Sequence, residues 1–177
     1  LPFLPMLPAQ ILINNFLYDT SQITIPTDNV DESYTLRPQR WNLKMIYHYM
    51  LIFGLTSSVF DFATFYTLYK FFHVSEAQFR TGWFMESLAT QILVVFIIRT
   101  NQIPFVQSKP GKYLVASVLI CLSIGWLLPY TGFADLVGFE KLPLDVLLVI
   151  TGLVILYLFC AELVKRFIYH RLQRSVH

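Results

Sequence analysis

Four side chains near the start of the sequence could do chemistry. In the stretch LPMLPAQILINNFLYDTSQ, Asn14, Asn15, Tyr18 and Asp19 place amide, phenol and carboxylate oxygens inside an otherwise apolar run. On a helix Asn15 and Asp19, four apart, share one face, and Asn14 and Tyr18 form the adjacent row. A carboxylate beside an amide oxygen suits a hard cation such as Mg²⁺ or Ca²⁺ rather than a soft metal. In lipid, an aspartate costs several kcal/mol unless it faces a partner, water or an ion. Pro5 and Pro8 before this stretch and Pro26 after it loosen the backbone ladder, so freed carbonyls are further candidate ligands. The plain alternative makes Asp19 a helix–helix contact, held by a neighbour or protonated.

Three other acidic groups lie in apolar surroundings. Asp61, in SSVFDFATF, has Ser57 four residues before it and Thr64 three after, so hydroxyls of its own helix are expected to satisfy it, and it reads as structural. Glu86, in WFMESLATQ, has Thr90 and Gln91 beyond it and is either hydrated near an interface or part of an ion path. Glu162 precedes Lys165 and Arg166 by three and four residues, the spacing of an ordinary helical ion pair.

The elements that position these groups follow from composition. Of 177 residues, 55% are hydrophobic and 14% charged, against about a quarter charged in soluble domains, which points to a membrane. Five runs approach the roughly 20 apolar residues that cross a bilayer: residues 5–25, 45–72, 83–100, 113–130 and 144–167. The fold class expected is therefore all-α, a polytopic membrane bundle of about five helices occupying residues 1–177 as one unit. With the N-terminal end outside, the inner side holds Arg37, Arg40, Lys44, Arg99, Lys109, Lys112, Lys165, Arg166, Arg171 and Arg174, and the outer side Lys70, Arg80 and Lys141. That asymmetry obeys the positive-inside rule and puts the C-terminus in the cytoplasm. Trp41, Trp83, Trp126, Tyr130 and Tyr169 are expected at the interfaces.

The net charge of +2 gives no footing for nucleic acid. Cys121 and Cys160 sit in apolar runs and read as small buried hydrophobes, and no zinc spacing is present. The opening Leu-Pro-Phe reads as the start of a piece from a longer polypeptide. The connector PTDNVDESYTLRPQRW carries Asp28, Asp31 and Glu32, then Arg37 and Arg40, a charge split suited either to docking a cytosolic domain or to a solvated link.

LPAQILINNFLYD, SQITIPTDNVDE, LRPQRW, SSVFDFATF, WFMESLATQILVVFIIRT with IPFVQSKP, and LYLFCAELVKRF together resemble the C-terminal membrane portion of bacterial magnesium-transporting P-type ATPases. The similarity covers essentially the whole chain. It implies that the five runs are helices six to ten of a ten-helix transport domain in a bacterial inner membrane, with Mg²⁺ as the transported ion. It carries ion-ligand roles to Asn15 and Asp19, with Asn14, Tyr18 and Glu86 as second-shell or ion-path groups. Tyr18 stands where related calcium pumps have a threonine, and their eighth-helix glutamate falls near Thr90 or Gln91, which implies a sparser site for a single cation.

The phosphorylation string DKTGT, and the TGES and GDGxND strings, are absent. The resemblance therefore implies that ATP-Mg is handled by upstream cytosolic domains and that this chain alone is inactive. Its expected partners are the upstream helices and phosphorylation domain, the bilayer, and anionic lipid at Lys165, Arg166, Arg171 and Arg174. The alternatives are a membrane scaffold or regulatory subunit without pump activity, or a related pump for another cation such as Ca²⁺ or Ni²⁺.

Overall fold

The computed structural model describes residues 2–29, 43–100 and 102–174, with side chains for all of these but 43–46, 48 and 169–174. Asp31, Glu32, Arg37, Arg40 and Trp41, and the side chains of Lys44, Tyr169, Arg171 and Arg174, lie outside what is described. Among the described residues the helices that follow one another are α1 (Pro8–Gln22), α2 (Leu43–Tyr66), α3 (Glu76–Leu93), α4 (Lys112–Leu127), a single turn α5 (Ala134–Val137) and α6 (Leu144–Arg174). A π-helical turn, Thr67–Phe71, prolongs α2, and a further turn, Val95–Ile98, prolongs α3.

Among the described residues four segments are long and apolar enough to cross a membrane: Tyr49–Phe71, Glu76–Ile98, Lys112–Tyr130 and Leu144–Ile168. They match four of the expected runs, with one change of boundary. The third begins at Glu76, not at residue 83. Ser75 caps it, its hydroxyl accepting from the Gln78 N–H at 3.1 Å while the Gln78 side chain accepts from the Ser75 N–H. Glu76, Gln78 and Arg80 dilute the hydropathy of that first turn, but the capping box starts the helix there.

The first expected run, 5–25, contains a helix of only 15 residues. At 1.5 Å per residue it is about 23 Å long, short of a roughly 30 Å hydrocarbon layer. Pro8 occupies its first turn, where a missing N–H costs nothing. Beyond Gln22 the chain tightens into a 3₁₀ turn, Ile25–Thr27, around Pro26.

Helix α3 is the hub. It packs against α1 and α4 on one side and α2 and α6 on the other. Phe79, Phe84, Met85, Leu88, Ala89 and Ile92 are fully enclosed. The outer helices keep broad apolar faces open, among them Leu55, Val59 and Phe62 on α2 and Leu148, Ile155 and Phe159 on α6, as lipid-facing surfaces do.

The closest approach involves Gly125 of α4. A Cβ there would lie 2.0 Å from Leu88 Cδ2 of α3 and 3.3 Å from Leu17 Cδ1 of α1. Small residues at such crossings let helices meet without a hydrophobic drive between them. Gly125→Ala is expected to destabilise the bundle by about 1–3 kcal/mol through overpacking. Gly152→Ala, where nothing lies within 4 Å, is expected to be neutral. Thermal unfolding of the two purified variants compares them directly.

Candidate ion-binding site

Helix α1 is held along its back by polar contacts at three levels. At its start the buried Gln10 accepts from the Leu7 N–H at 3.0 Å and donates to the Val137 and Gly138 carbonyls, both at 3.1 Å. Gly138 has φ 73°, a left-handed conformation that closes α5. At mid-helix the buried Asn14 donates from Nδ2 to Gln91 Oε1 of α3 at 3.2 Å, and Gln91 Nε2 donates to Ser87 Oγ at 2.8 Å. At its end the Ser117 hydroxyl of α4 lies 2.9 Å from the Ser21 carbonyl and 2.7 Å from Thr24 Oγ1.

The expected ligands lie on the other side. Asn15 and Asp19 are exposed on the same face of α1, beside Ile11, Leu12, Phe16 and Ile23, which are exposed as well. Asn14 turns inward, and Tyr18, half-buried, packs against the core. Asn15 and Asp19 thus share a face as their spacing requires, while Asn14 belongs to the packed side. Among the described residues no group of three or more His, Cys, Asp or Glu could hold a metal. What α1 presents is a carboxylate and an amide on an apolar face, a partial donor set for a hard cation.

Glu86 points elsewhere. It is 1% exposed, on the side of α3 that faces α2 and α6, and its electrostatic neighbours are Asp61 and Tyr157. Asp61 corrects one expectation: its Oδ1 accepts from Trp83 Nε1 of α3 at 2.9 Å, so a neighbouring helix satisfies it and not the Ser57 or Thr64 hydroxyl. Trp83, half-buried at the eighth position of α3, is thereby tied to α2.

Glu162 pairs with Lys165 at 2.7 Å and Arg166 at 2.9 Å, as the spacing implied. Lys165 is not open to lipid headgroups, however. It is 2% exposed, and its Nζ donates to the Ile97 carbonyl at 3.2 Å and the Gln102 carbonyl at 3.0 Å. The amine caps the end of α3's extension, where backbone carbonyls lack helical partners. Cys121 and Cys160 are both free thiols.

Beyond the C-terminal end of α1, Asp28 closes a junction that its sequence context did not reveal. Arg99 Nε donates to Asp28 Oδ2, and the Gly111 N–H donates to Oδ1 at 2.6 Å. Arg99 also reaches the Asn29 carbonyl at 2.9 Å and Ser108 Oγ at 3.2 Å. The connector after α1 is thereby bonded to the end of α3 and the start of α4. Burial by itself would raise the Asp28 carboxyl, but hydrogen bonds from Arg99 and the Gly111 and Asn29 N–H groups, with the guanidinium charge, hold it below its ordinary value.

A carboxyl that titrates lower in the folded state stabilises fully above the unfolded value, and this stabilisation is lost as pH falls through the folded one. Asp28→Asn is expected to cost about 2 kcal/mol at neutral pH. The gap from wild type should close at pH below the carboxylate range, a comparison made by denaturant unfolding at both pH values.

Residues 3–167 match the family model described as "Cation transporting ATPase, C-terminus". The chain is 40% identical over 171 residues to "Magnesium-transporting ATPase, P-type 1" of Salmonella typhimurium (strain 14028s / SGSC 2262), covering 94% of this chain and 19% of that protein. The protein of the same name from Escherichia coli (strain K12) is 39% identical over 171 residues, with the same coverage. A further Salmonella typhimurium relative of that name is 37% identical. The chain spans about a fifth of the length of these relatives.

Proposed function

Because the chain belongs to the cation-transporting ATPase C-terminus family, we propose that it forms the membrane part of an ATP-driven pump for Mg²⁺ and supplies Asn15 and Asp19 to the transported ion. One observation carries this reading. Two polar side chains, one of them a carboxylate, stand on the face of α1 turned away from the bundle, and the back of that helix is bonded to α3, α4 and α5. Helices earlier in the parent chain would cover this face, and they would complete the oxygen cage that two groups begin. The names of the relatives supply the ion, and the chemistry of the donors agrees. Mg²⁺ keeps several waters and takes one or two carboxylates, so a sparse site suits it.

In this arrangement the chain's own residues hold and orient the ion. Asp19 contributes charge, Asn15 contributes a neutral oxygen, and the clasps at Gln10, Asn14 and Ser117 keep α1 in place while the opposite wall moves. Phosphoryl transfer from ATP would take place in upstream cytosolic domains, whose motion changes the distance between that wall and Asp19, and therefore the affinity, as access alternates. The connector at Asp28 and Asn29, bonded to Arg99, would be a firm footing for the phosphorylation domain. The membrane would be a bacterial inner membrane, with the N-terminal end of this segment outside and the C-terminus in the cytoplasm, as the basic residues require.

The test is Asp19→Asn in the full-length pump, read as ATP hydrolysis stimulated by Mg²⁺, Ca²⁺ or Ni²⁺. The expected outcome is a loss of Mg²⁺ stimulation by at least about tenfold, equivalent to roughly 1.4 kcal/mol of ion binding, with protein yield unchanged. A scaffold without transport would leave hydrolysis and its ion dependence as in wild type. Stimulation by Ca²⁺ in preference to Mg²⁺ would reassign the cargo.

A further inference from the structure

The side of α3 that faces α2 and α6 holds an acidic pair with no role in the α1 site. Glu86 is 1% exposed and its Oε2 has no hydrogen-bond partner among the described residues. Asp61 of α2 is within its electrostatic reach, and Tyr157 of α6, 4% exposed, is within reach of both. Thr64 supplies an independent sign that something is bound here. It lies three residues beyond Asp61 on the same face of α2, is fully buried, and its hydroxyl also lacks a partner. Hydroxyls and carboxyls left unpaired in an apolar interior are rare because they forfeit solvation without return.

Two features decide what the pair holds. First, the charged side chain that acts on Glu86 is another acid, Asp61, and among the described residues no basic side chain pairs with it. From α2 the titratable group facing Glu86 is Asp61, from α6 it is Tyr157, and α3 itself contributes Glu86. Two adjacent carboxylates in a low-dielectric seam cannot both stay ionised without a counter-charge. Second, the surroundings are poor in oxygen. Asp61 Oδ1 is taken by the Trp83 indole N–H. Phe65 lies edge-on to Trp83 with ring centroids 4.8 Å apart, and Phe60 edge-on to Tyr157 at 5.4 Å. A metal cation of this hard class takes about six or more oxygens, whereas a proton needs one acceptor on each side.

We propose that Asp61 and Glu86 form a proton-binding site in the seam between α2, α3 and α6, with one proton held by the pair and the Thr64 and Tyr157 hydroxyls completing its hydrogen bonding. The pair joins α2 to α3, and Tyr157 brings in α6. Glu86 is the eleventh residue of α3, about 15 Å along it, which places the proton deep within the bundle. Loss of the proton leaves two like charges between α2 and α3, so occupancy sets how tightly α2 and α6 close on the hub. Ser87, next in sequence, belongs to the Asn14–Gln91 chain, so the same turn of α3 meets both the proton site and the back of α1. The site does not depend on which cation α1 binds. A negative result at Asp19 leaves it intact, and the converse also holds.

The experiment is infrared spectroscopy of the full-length pump in lipid, titrated from acid to alkaline pH in H₂O and in D₂O. Wild type is expected to show the carbonyl stretch of a protonated carboxyl at neutral pH, moved down in D₂O. Glu86→Gln should abolish it and Asp61→Asn should displace it. A wild-type spectrum without this band, or a band untouched by Glu86→Gln, overturns the proposal. So does a band that disappears when Na⁺, K⁺ or Mg²⁺ is added at constant pH, which would assign the seam to a metal cation. Should Glu86→Gln fail to assemble, Tyr157→Phe keeps the pair and is expected to shift the band, and an unmoved band again rejects the site.

Discussion

Everything in this bundle depends on how α3 satisfies its polar groups while enclosed by other helices. In lipid the contrast between apolar side chains and their medium is small, so helices associate through close packing and through hydrogen bonds that have no better alternative. Helix α3 carries Thr81, Glu86, Ser87, Thr90 and Gln91 among side chains as large as Phe79, Phe84 and Met85. Some are satisfied within the helix: the Thr81 hydroxyl donates to the Ala77 carbonyl at 2.9 Å, and Thr90 to the Glu86 and Ser87 carbonyls, both at 3.0 Å. Others reach a neighbouring helix: Gln91 accepts from Asn14 of α1, and Trp83 donates to Asp61 of α2. Each neighbour is thus fixed in rotation as well as in distance, which apolar packing alone would not achieve.

The end of the bundle at which α3 begins is organised around the same helix. Glu140, in the segment between α5 and α6, accepts from the Ser75 hydroxyl at 2.6 Å and from Gln78 at 3.3 Å, and its own N–H donates to Thr81 Oγ1 at 3.0 Å. Arg80 reaches across to the Leu4 carbonyl at 2.9 Å and lies over the Phe3 ring. The approach to α1, the cap of α3 and the entry to α6 therefore form one connected polar layer. With the Asp28–Arg99 junction beyond the other end of α1, the support for Asn15 and Asp19 is anchored at both ends of the helix.

Much of this was legible in the sequence, and the parts that were not share a cause. Long apolar runs were enough to find four spanning segments, because length and hydropathy are local properties. The four-residue spacing correctly put Asn15 and Asp19 on one face. That Asn14 faces inward and that Gln10 and Gln91 are clasps is set by which neighbour each helix meets, and no single stretch encodes that. Asp61 is the clearest case. Its own helix offers hydroxyls at suitable spacing, yet an indole from α3 takes its oxygen, since a buried donor on a neighbour has no other outlet. Lys165 was read as a surface charge for the same reason: its carbonyl partners lie some 60 residues earlier in the chain. The late start assigned to α3 was a different kind of miss, because Ser75 and Gln78 display a local capping signal that the polar first turn obscured.

The position of Lys165 also bears on how the chain is made. A membrane protein enters the bilayer from its N-terminal end at about 5–20 residues per second, so α3 arrives before α4 and well before α6. During that interval its glutamate and hydroxyls meet lipid, an insertion machinery or a chaperone in place of the helices that will enclose them. The lysine that finally caps its carbonyls emerges 68 and 63 residues after the two it binds. Helix α2, which packs on α6 as well, waits through the same interval, and the arrival of α6 ends the exposure of both.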